Sequence, residues 1–196
     1  MEDAPWVIGL TGTNGSGKGT LASALKKAGY FCVSLSDLLR HELRRRGGEE
    51  TVNALADLGN ALRAKRGGDI LAREAYETIQ AQEADKAVVD SIRTIPEVDF
   101  LRSKPRFVLV SVDAPVQLRY ERVMDRNRPG DRVTLDQFIA QEDRQLRGGK
   151  TEQNLMACIQ GADILLTNEG SEEELIQRLE RDLQARGVPW VFSQGG

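Results

Sequence analysis

The chain has 196 residues, of which 40% are hydrophobic and 29% are charged, and its formal net charge is −3. That length suits one domain with a sizeable core, and the charge balance gives no general attraction to nucleic acid. No apolar run approaches the ~18 residues that span a membrane, and no basic segment leads into a hydrophobic one at the N-terminus. We therefore expect a single domain over residues 1–196 that binds neither nucleic acid nor a membrane.

The cysteine pattern predicts a reducing environment. Cys32 and Cys158 are far apart and match no metal-binding spacing. Two such cysteines do not form the dense framework of a small secreted protein, so we expect a reduced, cytoplasmic chain. The sequence leaves the oligomeric state open.

The first predicted element is a strand at residues 7–10, followed by a glycine-rich loop and a helical pattern. A short continuous apolar run is typical of a strand covered on both faces of a parallel sheet. Gly12, Gly17 and Lys18 have the P-loop spacing G-x-x-x-x-G-K. The glycines let backbone N–H groups form a concave nest, and the following helix points its positive end at the same place. We predict that ATP phosphates are bound by Gly12, Asn14, Gly15, Ser16, Gly17, Lys18, Gly19 and Thr20.

Three helices are predicted between the second and third strands. The elements that the spacing predicts here are a helix at 19–28, a strand at 31–34, helices at about 37–46, 50–65 and 70–79, and a strand at 87–89. Ser36 or Asp37 is the expected N-cap of the second helix. The long connection is either a decorated crossover or a mobile helical insert over a substrate pocket. We favour the insert, at about residues 37–82.

Helices and strands also alternate in the second half of the chain. The predicted elements are a strand at 107–112, helices at 116–126 and 135–146, a strand at 164–167, and a last helix with a capping box at Ser171 and Glu174. Five strands that alternate with helices indicate an α/β fold with a parallel sheet. Ligands of such sheets bind beyond the carboxyl ends of the strands, where Lys18, Asp37, Arg40, Asp90 and Arg93 are expected.

An acidic residue ends the third strand. Asp90 occupies the position at which P-loop proteins hold Mg²⁺, directly or through water. A strand-end aspartate is also a common cap of the next segment. His41, the sole histidine, is flanked by charged residues and is interpreted as a solvated helix residue.

Four segments resemble the nucleoside monophosphate kinase family, and adenylate kinases in particular. Residues 17–20 read GKGT, 34–40 are similar to STGDLLR, 90–96 are similar to DGFPRTIP but one residue shorter, and 112–126 are similar to an arginine-bearing helix of the family. The resemblance implies a three-layer P-loop nucleotide kinase fold with a central five-stranded parallel sheet, a helical NMP-binding insert and a short lid at about 127–133.

The same resemblance implies a role for each matching residue in phosphoryl transfer from ATP·Mg²⁺ to a nucleoside or deoxynucleoside monophosphate. The expected catalytic residues are Lys18, Arg93, Arg122 and Arg126, the acceptor-binding residues are Asp37, Arg40 and Arg93, and the metal residues are Thr20 and Asp90.

Two other functions stay open. Residues 8–12 and 161–171 are similar to dephospho-coenzyme A kinase, which phosphorylates a ribose hydroxyl and needs a base such as Asp37 or Asp90. The other alternative is a P-loop ATPase that acts as a regulator or assembly factor. Two acceptor-type arginines disfavour it, because a pure switch needs no monophosphate site.

Overall fold

In the computed structural model, which describes residues 4–127, 131–147 and 153–190, a five-stranded parallel sheet forms the centre of the protein. The strands are β1 (Trp6–Thr11), β2 (Phe31–Ser34), β3 (Lys86–Asp90), β4 (Phe107–Asp113) and β5 (Ile164–Thr167). Their order is β2-β3-β1-β4-β5, and every neighbouring pair is parallel. The predicted α/β fold with five parallel strands is therefore confirmed.

Nine helices connect or follow these strands within the described residues. They are α1 (Lys18–Lys27), α2 (Leu35–Arg45), α3 (Val52–Arg66), α4 (Ile70–Ala81), α5 (Ile95–Arg102), α6 (Val116–Arg126), α7 (Leu135–Leu146), α8 (Leu155–Gln160) and α9 (Glu172–Gln184). Sequence periodicity missed α5 and α8, because eight and six residues are too few to show a helical repeat.

The start of α2 corrects one prediction. The N-cap is Ser34, whose hydroxyl oxygen accepts a hydrogen bond from the Asp37 amide at 3.3 Å, so neither Ser36 nor Asp37 caps the helix. Ser34 is the last residue of β2 and already has the extended backbone that an N-cap requires. The capping box of Ser171 and Glu174 at α9 is confirmed.

The sheet is covered on both faces, which makes the domain three-layered. Val7, Val89 and Leu109 belong to one buried cluster with residues of α2, α4 and α5. Their sequence neighbours Ile8, Val88 and Val110 belong to a second cluster with residues of α1 and α9. Because successive side chains alternate across a strand, β1, β3 and β4 each supply both cores. No helix in the described part of the chain is long and apolar enough to cross a membrane.

Polar side chains collect at the carboxyl edge of the sheet. Ser34 at the end of β2 pairs in register with Asp90 at the end of β3, and Asp113 of β4 pairs with Thr167 of β5. The P-loop follows Thr11 of β1 at the same edge. The register thus brings residues that are 54 to 56 positions apart in sequence to one edge of the sheet.

Candidate functional site

The phosphate loop requires glycine at three positions, which are Gly12, Gly15 and Gly17. Gly12 and Gly17 have φ values of +132° and +111°, in the region that favours glycine. A Cβ atom on Gly12 would lie 2.0 Å from the Val112 carbonyl oxygen, and one on Gly17 would lie 2.3 Å from Asn168 Nδ2. Close packing against β4 and the loop after β5 therefore fixes the shape of the predicted nest.

Lys18 begins α1 and folds back over this loop. Its ammonium group donates to the carbonyl oxygens of Gly12 and Thr13, both at 2.7 Å. Burial, together with the positive charge of Arg93, lowers the pKa of Lys18 from 10.5 to about 7, whereas Asp90 acts in the opposite direction. An anion bound in the loop would supply the opposite charge that this buried ammonium lacks.

Asp90 has the free coordination capacity that a metal site needs. Its Oδ1 is buried and has no hydrogen-bond partner among the described residues, and its Oδ2 accepts from the Ser91 hydroxyl at 3.1 Å. Mg²⁺ in phosphate sites is held by one or two carboxylates together with phosphate and water oxygens, and Asp90 fits that requirement. The Thr20 hydroxyl instead donates to Glu172 Oε1 at 3.2 Å.

The predicted acceptor residues lie in the same cleft as the phosphate loop. The cleft has a volume of about 1100 Å³, and its lining includes Lys18, Arg40 and Arg93. Arg40 Nη1 donates to Ser36 Oγ at 3.0 Å and to Asp37 Oδ1 at 2.6 Å. Arg93 Nη1 donates to Gln145 Oε1 on α7, and burial lowers the pKa of Arg93 from its ordinary value.

A buried ion pair between Arg63 and Glu97 contacts the backbone of Arg93. Glu97 Oε1 accepts from Arg63 Nε at 3.0 Å and from Nη2 at 2.8 Å. Glu97 Oε2 accepts from the amides of Arg93 at 2.9 Å and Thr94 at 3.2 Å. Sequence reasoning missed both Arg63 and Glu97. The T-x-x-E spacing of Thr94 and Glu97 was the available signal, since it is a capping box at the start of α5.

The two predicted α6 arginines line the cleft and are already paired with protein groups. Arg122 donates to Asn168, to the carbonyl oxygen at 3.3 Å and to Oδ1 at 3.4 Å. Arg126 forms two bonds of 2.9 Å with the Asp131 carboxylate and a weaker one of 3.4 Å with Asn14 Oδ1. Residues 128–130 of the predicted lid lie outside the described residues.

Two further residues that the sequence did not single out shape the phosphate loop. Arg119 is buried, donates to the Asn14 carbonyl oxygen at 3.4 Å, and pairs with both carboxylate oxygens of Glu142 on α7. Asn168 Nδ2 donates to the Ser16 carbonyl oxygen at 2.8 Å. Both contacts join segments that are more than 100 residues apart, so no local spacing predicts them.

Comparison with known proteins agrees with this geometry. The AAA domain family profile matches residues 8–147, which contain the phosphate loop, Asp90 and Arg93. A UPF0200 protein from Hyperthermus butylicus is 33% identical over 175 residues, which cover 89% of this chain and 91% of the relative. The chain belongs to the UPF0200 family. A UPF0200 protein from Thermococcus gammatolerans is 30% identical over 194 residues and is covered along its full length.

Solved structures place this UPF0200 protein in the P-loop kinase fold. The crystal structure of TT1252 from Thermus thermophilus has a TM-score of 0.65 and 24% identity, with 95% of this chain and all of that chain covered. Shikimate kinase from Aquifex aeolicus has a TM-score of 0.52 and 18% identity, with 93% and 98% covered. At these identities the likeness establishes the fold alone.

Proposed function

We propose that the protein transfers the γ-phosphoryl group of ATP·Mg²⁺ to the phosphate of a nucleoside or deoxynucleoside monophosphate. The supporting observation is that one continuous cleft joins the phosphate loop to a second cationic group, formed by Arg40 and Arg93. A protein that only hydrolyses ATP has no use for the second group. A kinase with a phosphorylated acceptor needs it to neutralise and orient the acceptor.

The proposed reaction joins an acceptor phosphate oxygen to the γ-phosphorus and breaks the bond between that phosphorus and the β–γ bridging oxygen. ADP leaves with the bond's electron pair, and a nucleoside diphosphate forms. The acceptor phosphate is already anionic, so no side chain has to remove a proton. Mg²⁺, held in this proposal at Asp90, with Thr20 near its water shell, would neutralise the donor phosphates.

Positive charge around the transferring group is the main contribution of the protein. Lys18 contacts the outer phosphates, while Arg122 and Arg126 turn toward the transferring group. Because these two arginines are held by Asn168 and Asp131, we propose that they exchange those partners for phosphate oxygens when the site closes. Closure would move α2 and α3 of the predicted insert and the lid at 127–133, and would exclude water from the γ-phosphate.

Arg93 gives the clearest test of the acceptor site. Replacing Arg93 with alanine should raise the acceptor KM at least tenfold and change the ATP KM far less, because Arg93, which lines the cleft, is proposed to hold the acceptor phosphate. Arg93→Lys should recover only part of the loss, since lysine cannot form the two parallel bonds of a guanidinium. A coupled assay with each monophosphate measures both constants. Equal effects on both substrates would contradict the assignment.

A hydroxyl acceptor, as in dephospho-coenzyme A kinase, is the second candidate. It is favoured by one observation, which is that the Asp37 side chain lines the cleft and is 70% exposed, as a general base would be. Asp37→Asn should then abolish transfer to a hydroxyl but leave transfer to a phosphate largely intact. The same assay with dephospho-coenzyme A and with no acceptor separates this function and simple ATP hydrolysis from the first proposal.

A further inference from the structure

Besides Ser16 Oγ in the phosphate loop and Asp90 Oδ1, two buried polar atoms of residues that line the cleft have no hydrogen-bond partner among the described residues: Arg63 Nη1 and Gln153 Oε1. Both side chains line the cleft, and their residues are only 1% and 5% exposed. Buried polar groups are normally hydrogen-bonded, because an unpaired one has lost its water without compensation. Two such atoms along one cleft indicate that a ligand completes their hydrogen bonding.

Hydrogen bonds connect both residues to Arg93, each through one intervening residue. Arg63 binds Glu97, and Glu97 in turn accepts from the Arg93 amide. On the other side, the Arg93 carbonyl oxygen accepts from the amide of Asn154 at 2.9 Å, which directly follows Gln153. Arg63 and Gln153 are therefore each linked, through one intervening residue, to the residue that is proposed to hold the acceptor phosphate.

The positive charge of Arg63 is already neutralised by the carboxylate of Glu97. Glu97 Oε1 accepts two hydrogen bonds from the Arg63 guanidinium, at 3.0 and 2.8 Å, and both side chains are almost completely buried. The remaining Nη1 can donate to a neutral acceptor atom without requiring a second anion. Gln153 Oε1 can accept from an N–H or O–H group. Together they offer a donor and an acceptor to one ligand.

Apolar side chains of α2 and α3 line the same cleft. They are Leu39, Val52, Leu55 and Ala56. Leu39 and Ala56 are buried, and the other two are partly buried. Such a wall suits the flat face of an aromatic ring better than a ring that carries hydroxyl groups on both faces.

We propose that Arg63 and Gln153 are specificity residues that bind the edge of the acceptor's nucleobase. This inference rests on the proposed function, and it assigns the acceptor's base to Arg63 and Gln153, with the acceptor's phosphate at Arg40 and Arg93. Each common nucleobase carries a hydrogen-bond acceptor next to an N–H group on its pairing edge, which complements one donor and one acceptor from the protein. A base-free sugar phosphate has no such edge.

The test compares binding of base-bearing and base-free phosphates by calorimetry. The ligands are AMP, CMP, GMP, UMP and ribose 5-phosphate, and the proteins are wild type, Gln153→Met and Gln153→Glu. Gln160→Met is the matched control, because Gln160 is an exposed residue on α8 and does not line the cleft. In the wild type, at least one monophosphate should bind at least tenfold more tightly than ribose 5-phosphate.

Gln153→Met should reduce the preference for a monophosphate over ribose 5-phosphate at least tenfold, while its affinity for ribose 5-phosphate and ATP stays unchanged. Its Tm should be at least as high as that of the wild type, because the mutation removes a buried hydrogen-bond acceptor that has no partner. Gln153→Glu keeps an acceptor oxygen and should retain most of the advantage. A Gln153→Met protein that still prefers the base as strongly as the control would overturn the inference and leave the proposed function standing. A wild type that binds ATP but no monophosphate would overturn both.

Discussion

The buried pair of Arg63 and Glu97 provides the sharpest prediction about stability. Glu97→Gln removes the charge that balances Arg63 while keeping the shape of the side chain. Glu97 accepts four hydrogen bonds, two from the Arg63 guanidinium and two from the backbone amides of Arg93 and Thr94. An amide nitrogen cannot accept any of them. The mutation therefore leaves a guanidinium that is 1% exposed without its counter-ion.

Breaking a buried ion pair by changing one partner costs about 3–5 kcal/mol. For a domain of this size each kcal/mol lowers Tm by roughly 2–4 °C, so we expect a decrease of roughly 6–20 °C. Urea denaturation followed by circular dichroism gives the free energy of unfolding, and a thermal scan gives Tm. Glu74→Gln is the matched control, because its pair with Arg66 is exposed and should contribute less than about 1 kcal/mol.

The double variant Arg63→Met/Glu97→Met separates the ion pair from other effects of the mutation. Replacing both members with apolar groups removes the uncompensated charge, so it should recover much of the stability lost in Glu97→Gln. A Glu97→Gln protein within 1 kcal/mol of the wild type would contradict the reasoning. A double variant less stable than the single one would show that the backbone amides, rather than Arg63, account for the effect.

Four further predictions concern the phosphate loop and the cleft. Lys18→Met should reduce kcat/KM by roughly 10³, because it removes a positive charge from the transferring group. Since the pKa of Lys18 is about 7 in the folded protein and 10.5 without the fold, the unfolded state binds more protons above pH 7. The free energy of unfolding of the wild type, relative to that of Lys18→Met, should therefore rise between pH 7 and pH 10, by up to roughly 1.4 kcal/mol per pH unit. A difference between the two proteins that does not change with pH would contradict this prediction. Gly17→Ala should abolish ATP binding, measured by calorimetry, because the new Cβ atom would lie 2.3 Å from Asn168 Nδ2. A Cβ atom on Gly19 would have no neighbouring atom within 4 Å, so Gly19→Ala should bind ATP normally. Asn168→Ala should weaken ATP binding about tenfold, because it removes the hydrogen bond from Asn168 Nδ2 to the Ser16 carbonyl oxygen. An unchanged ATP affinity would show that the phosphate loop keeps its conformation without this bond.

The sequence predicted those parts of the fold that depend on local pattern. The continuous apolar runs identified all five strands, and the predicted first helix at 19–28 differs from α1 by one residue at each end. The strand order could not be predicted in the same way, because it depends on which runs pair with each other. The short helix α8 left too little periodicity to detect.

The predicted site residues were those carried by recognisable motifs. Lys18, Arg40, Asp90 and Arg93 do line one cleft, whereas their catalytic roles stay predictions. Arg63 carries no motif, and its partner is 34 residues away in the chain. Long-range pairing of this kind depends on tertiary packing, so it was visible only in the structure.

The most direct test of the account follows the γ-phosphoryl group itself. The protein is incubated with ATP labelled at the γ-phosphorus, Mg²⁺ and each ribo- or deoxyribonucleoside monophosphate, and the labelled products are separated. We predict that the label appears in a nucleoside diphosphate, in equal amount to the ADP formed, with little label in inorganic phosphate. Label that appears only in inorganic phosphate, whichever monophosphate is present, would contradict the proposed transfer.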